Sequence, residues 1–321
     1  PPGAGGAGGG GGGGGRRGPP GGVGGPGGGS GAGGRGGQSF DHCKDQEHNG
    51  DETDVDCGGS CKPCDHGLAC KQEKDCFSGV CEGLICTAAC PADMVLIQSS
   101  EGAFCIDANE VTQAQYAQFL AKAPSLSEQS AVCSFNQTFQ PENNVGGTAA
   151  CGPSSYDPVN KADRPVVCVD WCDAQAYCRA VGKRLCGSIQ TGGPLLWDFA
   201  SRWAQDEWYR ACSGEQLKHW PYGDIYDKNR CNGKELGKGT TVSVSEMDQC
   251  EGGYPGIFNM SGNAIEWMDA CKPDDDPTKP DLCLIRGGSF FDDAASLTCS
   301  KTFSMYRNQV ASDVGFRCCG G

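Results

Sequence analysis

The chain has 321 residues, a net charge of −14 and 24 cysteines but only four histidines. So many thiols would be prone to misoxidation in a reducing cytosol, and the histidines are too few for all of the cysteines to be metal ligands. The cysteines therefore predict disulfides in an oxidising compartment. The acidic charge argues against nucleic acid and anionic lipid as partners.

The sequence offers no segment for crossing a membrane, because no run of about 18 apolar residues occurs. It also lacks an initial Met and an apolar export segment, so we expect that any export signal has been removed. A secreted, extracellular or cell-surface location follows. A lipid tether at the removed N-terminal signal is one means of attachment.

Residues 1–40 differ from the rest because they hold 24 of the 52 glycines. Such a segment cannot bury enough apolar surface to offset the entropy of ordering, so we predict a disordered tether. Its three arginines make a poor basic patch for nucleic acid.

Residues 41–89 predict a small module held by disulfides, because they are too few and too polar for a hydrophobic core. We leave the connectivity of their eight cysteines open, and a zinc site is the less favoured alternative. These cysteines are Cys43, Cys57, Cys61, Cys64, Cys70, Cys76, Cys81 and Cys86.

An acidic loop in this module carries Asn49, Asp51, Glu52, Asp54 and Asp56. Such a loop could wrap calcium, but it lacks the EF-hand spacing, and a solvated loop is favoured. The stretch NGDETDVDCGGSCKPC resembles short Cys-rich repeats of bacterial surface proteins, which implies a spacer or adhesion unit.

Residues 90–321 contain helix signals. Thr112 and Gln115 form a capping box, and Val111 with Tyr116 makes a hydrophobic staple, which predicts a helix to about Lys122.

Two more helices are predicted further along the chain. Residues 171–181 are capped by Asp170 and stopped by Gly182, and residues 203–212 end before Gly214. Short strand candidates lie between and after the helices, at residues 94–97, 241–245, 283–287 and 314–318. Scattered strands with long loops predict an irregular α+β domain.

Seven phrases occur in a recognisable order in this region: FCIDANEVTQAQYAQFL, PVVCVDWCDAQAYCRAVGKRLC, DEWYRACSG, HWPYGD, GIFNMSGNAIEW, LIRGGSF and VGFRCC. The series resembles the formylglycine-generating enzyme (sulfatase-modifying factor) family over about residues 90–321. The resemblance implies a disulfide-rich fold related to C-type lectins. It also implies an oxidase that uses copper and oxygen to convert a sulfatase cysteine to formylglycine.

The copper cysteines of that family should follow the RGGS phrase. Counting from Ser289, the first of them is replaced by Asp292, and the segment up to Cys299 is about three residues shorter than in the enzymes. Cys299 then matches a structural cysteine. A hard carboxylate cannot replace a thiolate for Cu(I), so copper is not expected and we predict that the oxidase reaction is lost. We therefore predict that the chain has no catalytic residues.

A calcium site is the family feature that the sequence retains. The phrase NxxGNAxEW matches at Asn259, Gly262, Ala264 and Glu266, which supply an amide oxygen, two backbone carbonyls and a carboxylate. The alternative is a tight turn before a buried strand. A second family site near Asn232 lacks its matching acidic residue and is not predicted.

The resemblance also implies two long-range disulfides, Cys178–Cys318 and Cys212–Cys299. Short loops add three local pairs, because closing them has a modest entropic cost: Cys90–Cys105, Cys231–Cys250 and Cys271–Cys283. Six cysteines remain to pair among themselves: Cys133, Cys151, Cys168, Cys172, Cys186 and Cys319.

The partner remains open between a protein and a glycan at the cell surface. Trp197, Trp203, Trp208 and Trp220 could stack on sugars, but a role in the core is favoured. His219 beside Trp220 is favoured as packing. Two functions follow: an extracellular binding or structural domain, and an oxidase or other protein-modifying enzyme with a different metal site.

Overall fold

The computed structural model describes residues 40–64, 67–77, 80–86, 90–142, 150–199, 203–276 and 278–320. The segment predicted as a tether lies outside these residues, apart from Phe40. The chain from Phe40 to Gly321 forms one unit. A module boundary near residue 90 stays a prediction, although four disulfides lie before it and eight after it, and none crosses it.

The described residues contain three α-helices and ten strands, joined by long loops. The helices are α1 (Gln113–Ala121), α2 (Trp171–Ala180) and α3 (Glu207–Ser213). The strands are β1 (Cys81–Glu82), β2 (Ile85–Cys86), β3 (Met94–Ser99), β4 (Gly102–Asp107), β5 (Arg184–Leu185), β6 (Ile265–Lys272), β7 (Leu282–Arg286), β8 (Thr302–Tyr306), β9 (Val314–Gly315) and β10 (Cys318–Gly320). Short 3₁₀ turns span Phe40–Lys44, Glu73–Asp75, Leu126–Glu128, Ala131–Cys133, Trp197–Phe199, Trp203–Gln205 and Lys234–Leu236.

The first two helices begin where their caps predict. Thr112 Oγ1 accepts from the Gln115 amide at 3.2 Å, and Gln115 Oε1 accepts from the Thr112 amide at 2.8 Å. Asp170 and Asp173 form the same reciprocal pair at the start of α2. Gly182 follows α2 with a φ of 75°, a conformation that glycine adopts without strain. The two predictions are confirmed.

The third helix begins later than predicted. Residues 203–205 form a 3₁₀ turn, and α3 starts at Glu207 because the Asp206 carboxylate accepts from the Tyr209 amide at 2.9 Å. The same carboxylate contacts Arg286 at 2.5 Å. The start at residue 203 was wrong, and the end before Gly214 was correct.

Two four-stranded sheets organise the rest of the domain, in the orders β3-β4-β10-β5 and β8-β7-β6-β9. The last residues of the chain join both: β9 runs parallel to β6, and β10 runs antiparallel to β4 and β5. The strand predicted at residues 314–318 is therefore two strands that belong to different sheets. No described helix has the length and apolar content that a membrane crossing needs.

The strand predicted at residues 241–245 does not form. The Val242 amide donates to Asn263 Oδ1 at 2.8 Å, and the Val244 carbonyl accepts from Asn259 Nδ2 at 2.8 Å. The Val244 amide bonds to the Asp163 carbonyl. Because distant groups satisfy this backbone, a ladder with a second strand does not form.

Two large hydrophobic cores and one smaller cluster around the Cys151–Cys168 bridge lie in the described part of the large domain. One contains Tyr116, Tyr177 and Phe316, whose rings contact one another at centroid distances of 5.5–6.3 Å. The other is built around the fully buried Trp208, and Phe77 of the small module packs against it. The small module has its own cluster, which consists mainly of cysteines.

Twelve disulfides pair all 24 cysteines, each of which lies in the described residues. The structure joins the two pairs that the family resemblance implies and the three local pairs that the short loops predict. The six remaining cysteines pair as Cys133–Cys172, Cys151–Cys168 and Cys186–Cys319. The module bridges are Cys43–Cys61, Cys57–Cys64, Cys70–Cys81 and Cys76–Cys86.

Candidate functional site

The segment after RGGS is a tight turn centred on Ser289. Asp292 Oδ2 accepts from the Ser289 amide at 2.8 Å and lies 3.0 Å from Ser289 Oγ, which also lies 2.8 Å from Asp313 Oδ2. A hydroxyl has one proton to donate. Ser289 can therefore donate to only one of the two carboxyls at a time, and burial raises the pKa of Asp313. Asp292 here closes a turn around a fully buried serine.

No thiol is available at this turn, because Cys299 is bridged to Cys212 with the two Cα atoms 5.6 Å apart. The Cys299 amide donates to the His219 carbonyl at 2.8 Å, which anchors the end of the segment. A copper site of the enzyme type requires a pair of thiolates. In the described residues, the chemistry of this turn is that of a hydroxyl and two carboxyls.

The predicted calcium residues lie at a buried ion pair. Glu266 accepts from Arg317 Nε at 3.0 and 2.8 Å, from Arg317 Nη2 at 2.8 Å and from Trp208 Nε1 at 2.8 Å. Arg317 Nε shares its single proton between the two carboxylate oxygens, so three N–H donors engage Glu266. The charge of Glu266 is thus paired with Arg317 in this arrangement, and its role as a calcium ligand stays a prediction.

Asn259 fits a hard cation better than Glu266 does. Its Nδ2 donates to Glu110 Oε2 at 3.0 Å and to the Val244 carbonyl at 2.8 Å, which fixes the orientation of the amide. Its Oδ1 is buried, with no hydrogen-bond partner. Gly262 has a φ of 75°, and a Cβ there would lie 2.5 Å from the Asn232 carbonyl oxygen, so the turn requires glycine. Of the two predicted ligand side chains, Asn259 has an oxygen that accepts no hydrogen bond in the part of the chain described, whereas both oxygens of Glu266 accept.

Glu110 is a further buried residue that contacts Asn259, and the sequence analysis did not identify it. Its Oε1 accepts from Asn263 Nδ2 at 2.9 Å, and burial raises its pKa to about 7 despite the nearby Arg317 guanidinium. Glu110 precedes the α1 capping box, where an acidic residue is ordinary. Its partners lie about 150 residues away, so no local pattern could have identified it.

The acidic loop of the small module does not converge on one point. Asp54 accepts from the Ala69 amide at 2.7 Å, and Asp56 accepts from the Gln46 amide. Asp51 accepts from Ser60 Oγ at 2.6 Å. These carboxylates cap separate turns, which is the structural alternative to a calcium loop.

Among the candidate sugar-stacking tryptophans, each of the three described side chains has its own contacts within the fold. Trp208 is fully buried, Trp220 donates to the Ala294 carbonyl at 3.2 Å, and Trp197 packs at the edge of the second core under Lys272. The side chain of Trp203 lies outside the described residues. His219 lies beside Trp220 with ring centroids 5.2 Å apart, in agreement with a packing role.

Comparisons with known proteins show the family to which the domain belongs. The sulfatase-modifying factor enzyme 1-like domain matches residues 91–320, and the chain belongs to this family of formylglycine-generating enzymes. Two proteins named inactive C-alpha-formylglycine-generating enzyme 2 are similar to it. The protein from Bos taurus is 28% identical over 180 residues (50% of this chain, 52% of that protein), and the protein from Mus musculus is 27% identical over 177 residues (49% of each). The chain spans about half the length of these curated relatives.

Solved structures to which the chain is similar include CarF, PvdO from Pseudomonas aeruginosa and Treponema denticola variable protein 1. CarF has a TM-score of 0.47 at 19% identity, covering 68% of this chain and 86% of that chain. PvdO has 0.43 at 19% identity, covering 68% and 80%, and the Treponema protein has 0.43 at 21% identity, covering 73% and 92%.

Proposed function

We propose that this protein is an extracellular binding domain of the formylglycine-generating enzyme family that does not oxidise cysteine. One observation carries the proposal: all 24 cysteines form disulfides, and the turn after RGGS presents Asp292 hydrogen-bonded to Ser289. Without a thiolate pair, the copper chemistry of the family has no soft ligands. Both mammalian relatives are named inactive, which also supports the absence of oxidase activity.

An extracellular location is supported by the disulfides. Twelve bridges in one chain are expected in an oxidising compartment, because cytosolic thiol systems keep most cysteines reduced. The net charge of −14 agrees with a protein that does not bind nucleic acid or anionic lipid through bulk electrostatics.

The experiment is an oxidase assay on the purified chain. A CxPxR peptide is supplied with copper and a thiol reductant mild enough to preserve the native disulfides, and oxygen consumption and peptide mass are followed. We expect neither oxygen uptake nor formylglycine above a no-protein control. An authentic formylglycine-generating enzyme run in parallel shows that the conditions support turnover. Conversion of the peptide by this chain would overturn the proposal.

Calcium enters the proposal in a narrower form, in which the Asn259 side-chain oxygen is the ligand and Glu266 serves Arg317. Calcium that binds only the folded state would raise the melting temperature relative to a chelated sample. Asn259→Gly removes the oxygen while tolerating the positive φ of 58° at this position. We expect the variant to lose the calcium-dependent rise. A melting temperature of the wild type that is indifferent to calcium would remove the metal from the proposal.

The alternative function, a different protein-modifying enzyme, has less support. Three surface cavities of the described residues are lined by other parts of the domain than residues 286–299. The groups that converge at Ser289 are two carboxyls and no base of the histidine type. A binding role therefore fits the geometry better.

A further inference from the structure

A cavity of about 500 Å³ lies between α2, β5, β6 and the end of β8. Its size falls in the range of roughly 300–1,000 Å³ that is usual for small-molecule sites. Trp171, Gln175 and Arg179 line it from α2, where a spacing of four residues places them on one helix face. Asp269 and Arg307 line it from the sheet side.

Arg307 is the residue that points to a ligand. It is 5% exposed, and its guanidinium lies 4.3 Å from the Trp171 ring centroid. Nη2 donates to Asp281 at 2.7 Å, whereas Nε and Nη1 are buried with no hydrogen-bond partner. A buried donor without a partner is costly, and a charged donor more so. Planar guanidinium groups pair best with two oxygens of one carboxylate.

The other charges of the cavity limit what can bind. Arg184 is already held by Glu207 through two hydrogen bonds of 2.6 and 2.5 Å. Arg179 is exposed and has no ion pair among the described residues. Asp269 supplies acceptor oxygens from β6, beside these arginines, and burial raises its pKa to about 6 although the arginines oppose that rise. An anion that also carries hydrogen-bond donors can use both kinds of group.

The remaining walls are apolar or small. Val132, Leu185 and Pro194 line the cavity together with Gly192 and Gly193. The C–H face of a sugar ring packs on such walls, and its hydroxyls can donate to Asp269. An inorganic anion has neither C–H groups to pack on these walls nor sugar hydroxyls to donate to Asp269.

We propose that this cavity binds a sugar acid, with the ligand carboxylate on Arg307 and Arg179 and the ring hydroxyls on Asp269. The inference rests on the proposed function, because it gives the binding domain a ligand class. It needs no covalent step and no cofactor.

The test measures binding of small probes to the full chain by isothermal titration calorimetry. D-Galacturonate and D-galactose share a ring and differ in the carboxylate, and L-glutamate carries a carboxylate with an ammonium group in place of ring hydroxyls. We expect galacturonate to bind at least about tenfold more tightly than either. Equal binding of galactose would overturn the role of the arginines, and tighter binding of glutamate would overturn the sugar acid. Absence of galacturonate binding would overturn the proposal itself.

Variants of single arginines test which residues bind the ligand carboxylate. Arg179→Gln lies on the exposed rim, so it should fold normally and weaken galacturonate about tenfold. Arg307→Lys keeps a charge but loses the second hydrogen bond, and a similar loss is expected if its melting temperature is retained. Arg230→Gln, at an exposed pair with Asp227, is the matched control and should bind as the wild type does. Unchanged affinity in Arg179→Gln would overturn the placement of the carboxylate.

The outcome is separable from that of the oxidase assay. Turnover of the CxPxR peptide would defeat the proposed function whatever the probes do. If the chain neither binds galacturonate nor turns over the peptide, only the proposal for the cavity fails.

Discussion

The small module and the large domain are stabilised in different ways. The four module bridges close loops of 7–18 residues, and the buried cluster that they surround consists mainly of the cysteines themselves. The described part of the large domain has two large hydrophobic cores, and three of its bridges join residues 87, 133 and 140 positions apart. Disulfides are therefore the main source of stability in the module, whereas the packing of buried side chains is the main source in the large domain.

The difference follows from size. A chain of about 45 residues buries too little apolar surface to offset its conformational entropy, whereas more than 200 residues can fill two cores. We therefore expect damage to a bridge to unfold the module. The large domain should respond instead to changes in its buried side chains.

The largest effect is expected from Cys76→Ala with Cys86→Ala. Both cysteines are buried, and removing a native bridge from a small domain costs about 2–5 kcal/mol and often abolishes folding. Hydrogen exchange should show lost protection across residues 43–86 with the large domain unaffected. The matched control, Cys271→Ala with Cys283→Ala, removes a bridge between paired strands β6 and β7 and should leave the domain folded. Protection retained in the module would contradict the comparison.

The next effect concerns the buried pair of Arg317 and Glu266. Arg317→Met leaves the Glu266 charge without its partner and should lower the free energy of unfolding by about 3–5 kcal/mol. Adding Glu266→Gln should restore much of that loss, because the uncompensated charge is removed. Urea unfolding of the single and double variants measures both. If the double variant is no more stable than Arg317→Met, packing rather than charge explains the loss.

A smaller effect should appear in the pH dependence of stability. Burial raises the pKa of Asp269 to about 6 although Arg184, Arg307 and Arg179 oppose this, and Glu207 adds to it. The folded state therefore binds more protons than the unfolded state between about pH 4 and 6, so this group's contribution to stability falls as pH rises through that window. Asp269→Asn should be more stable than the wild type at pH 7, by up to about 2 kcal/mol.

Other buried carboxyls titrate in the same pH range, so the difference between the two curves isolates Asp269. Thermal unfolding of both proteins from pH 4 to pH 8 gives that difference. Parallel curves would show that the carboxyl is better solvated than its burial indicates.

The smallest effect is expected at the start of α1. Thr112→Ala removes the oxygen that caps the Gln115 amide and should cost about 1 kcal/mol, seen as a lower urea midpoint. Ser125→Ala is the matched control, because Ser125 caps a single exposed 3₁₀ turn. Equal losses in the two variants would indicate that the helix start contributes no more than a surface turn.

Local signals were enough for the helices whose ends are set by neighbouring residues. Thr112 with Gln115 and Asp170 with Gly182 lie within one turn of the backbone groups that they satisfy, so their role is visible in the sequence. The start of α3 was missed because Asp206 caps the helix, and the sequence analysis assigned no cap to it.

The candidate sites depend on contacts between distant residues that the sequence does not show. The phrase around Asn259 and Glu266 identified a buried polar cluster, but the engagement of Glu266 by Arg317 depends on a residue 51 positions away. The cavity around Arg307 has no sequence signal, since its lining comes from a helix, two strands and loops that are distant in the chain.

The sequence by itself determined the family, the disulfide-rich α+β class, the caps of the first two helices and the absence of the copper thiol pair after Ser289. Each of these depends on residue identity or on spacing over a few positions. Only the tertiary structure decided which polar groups are already satisfied. Val242 bonds to Asn263 instead of entering a strand, and Arg307 keeps two buried donors without partners. The physical reason is that hydrogen-bond satisfaction is set by distances across the fold, which the order of residues does not specify.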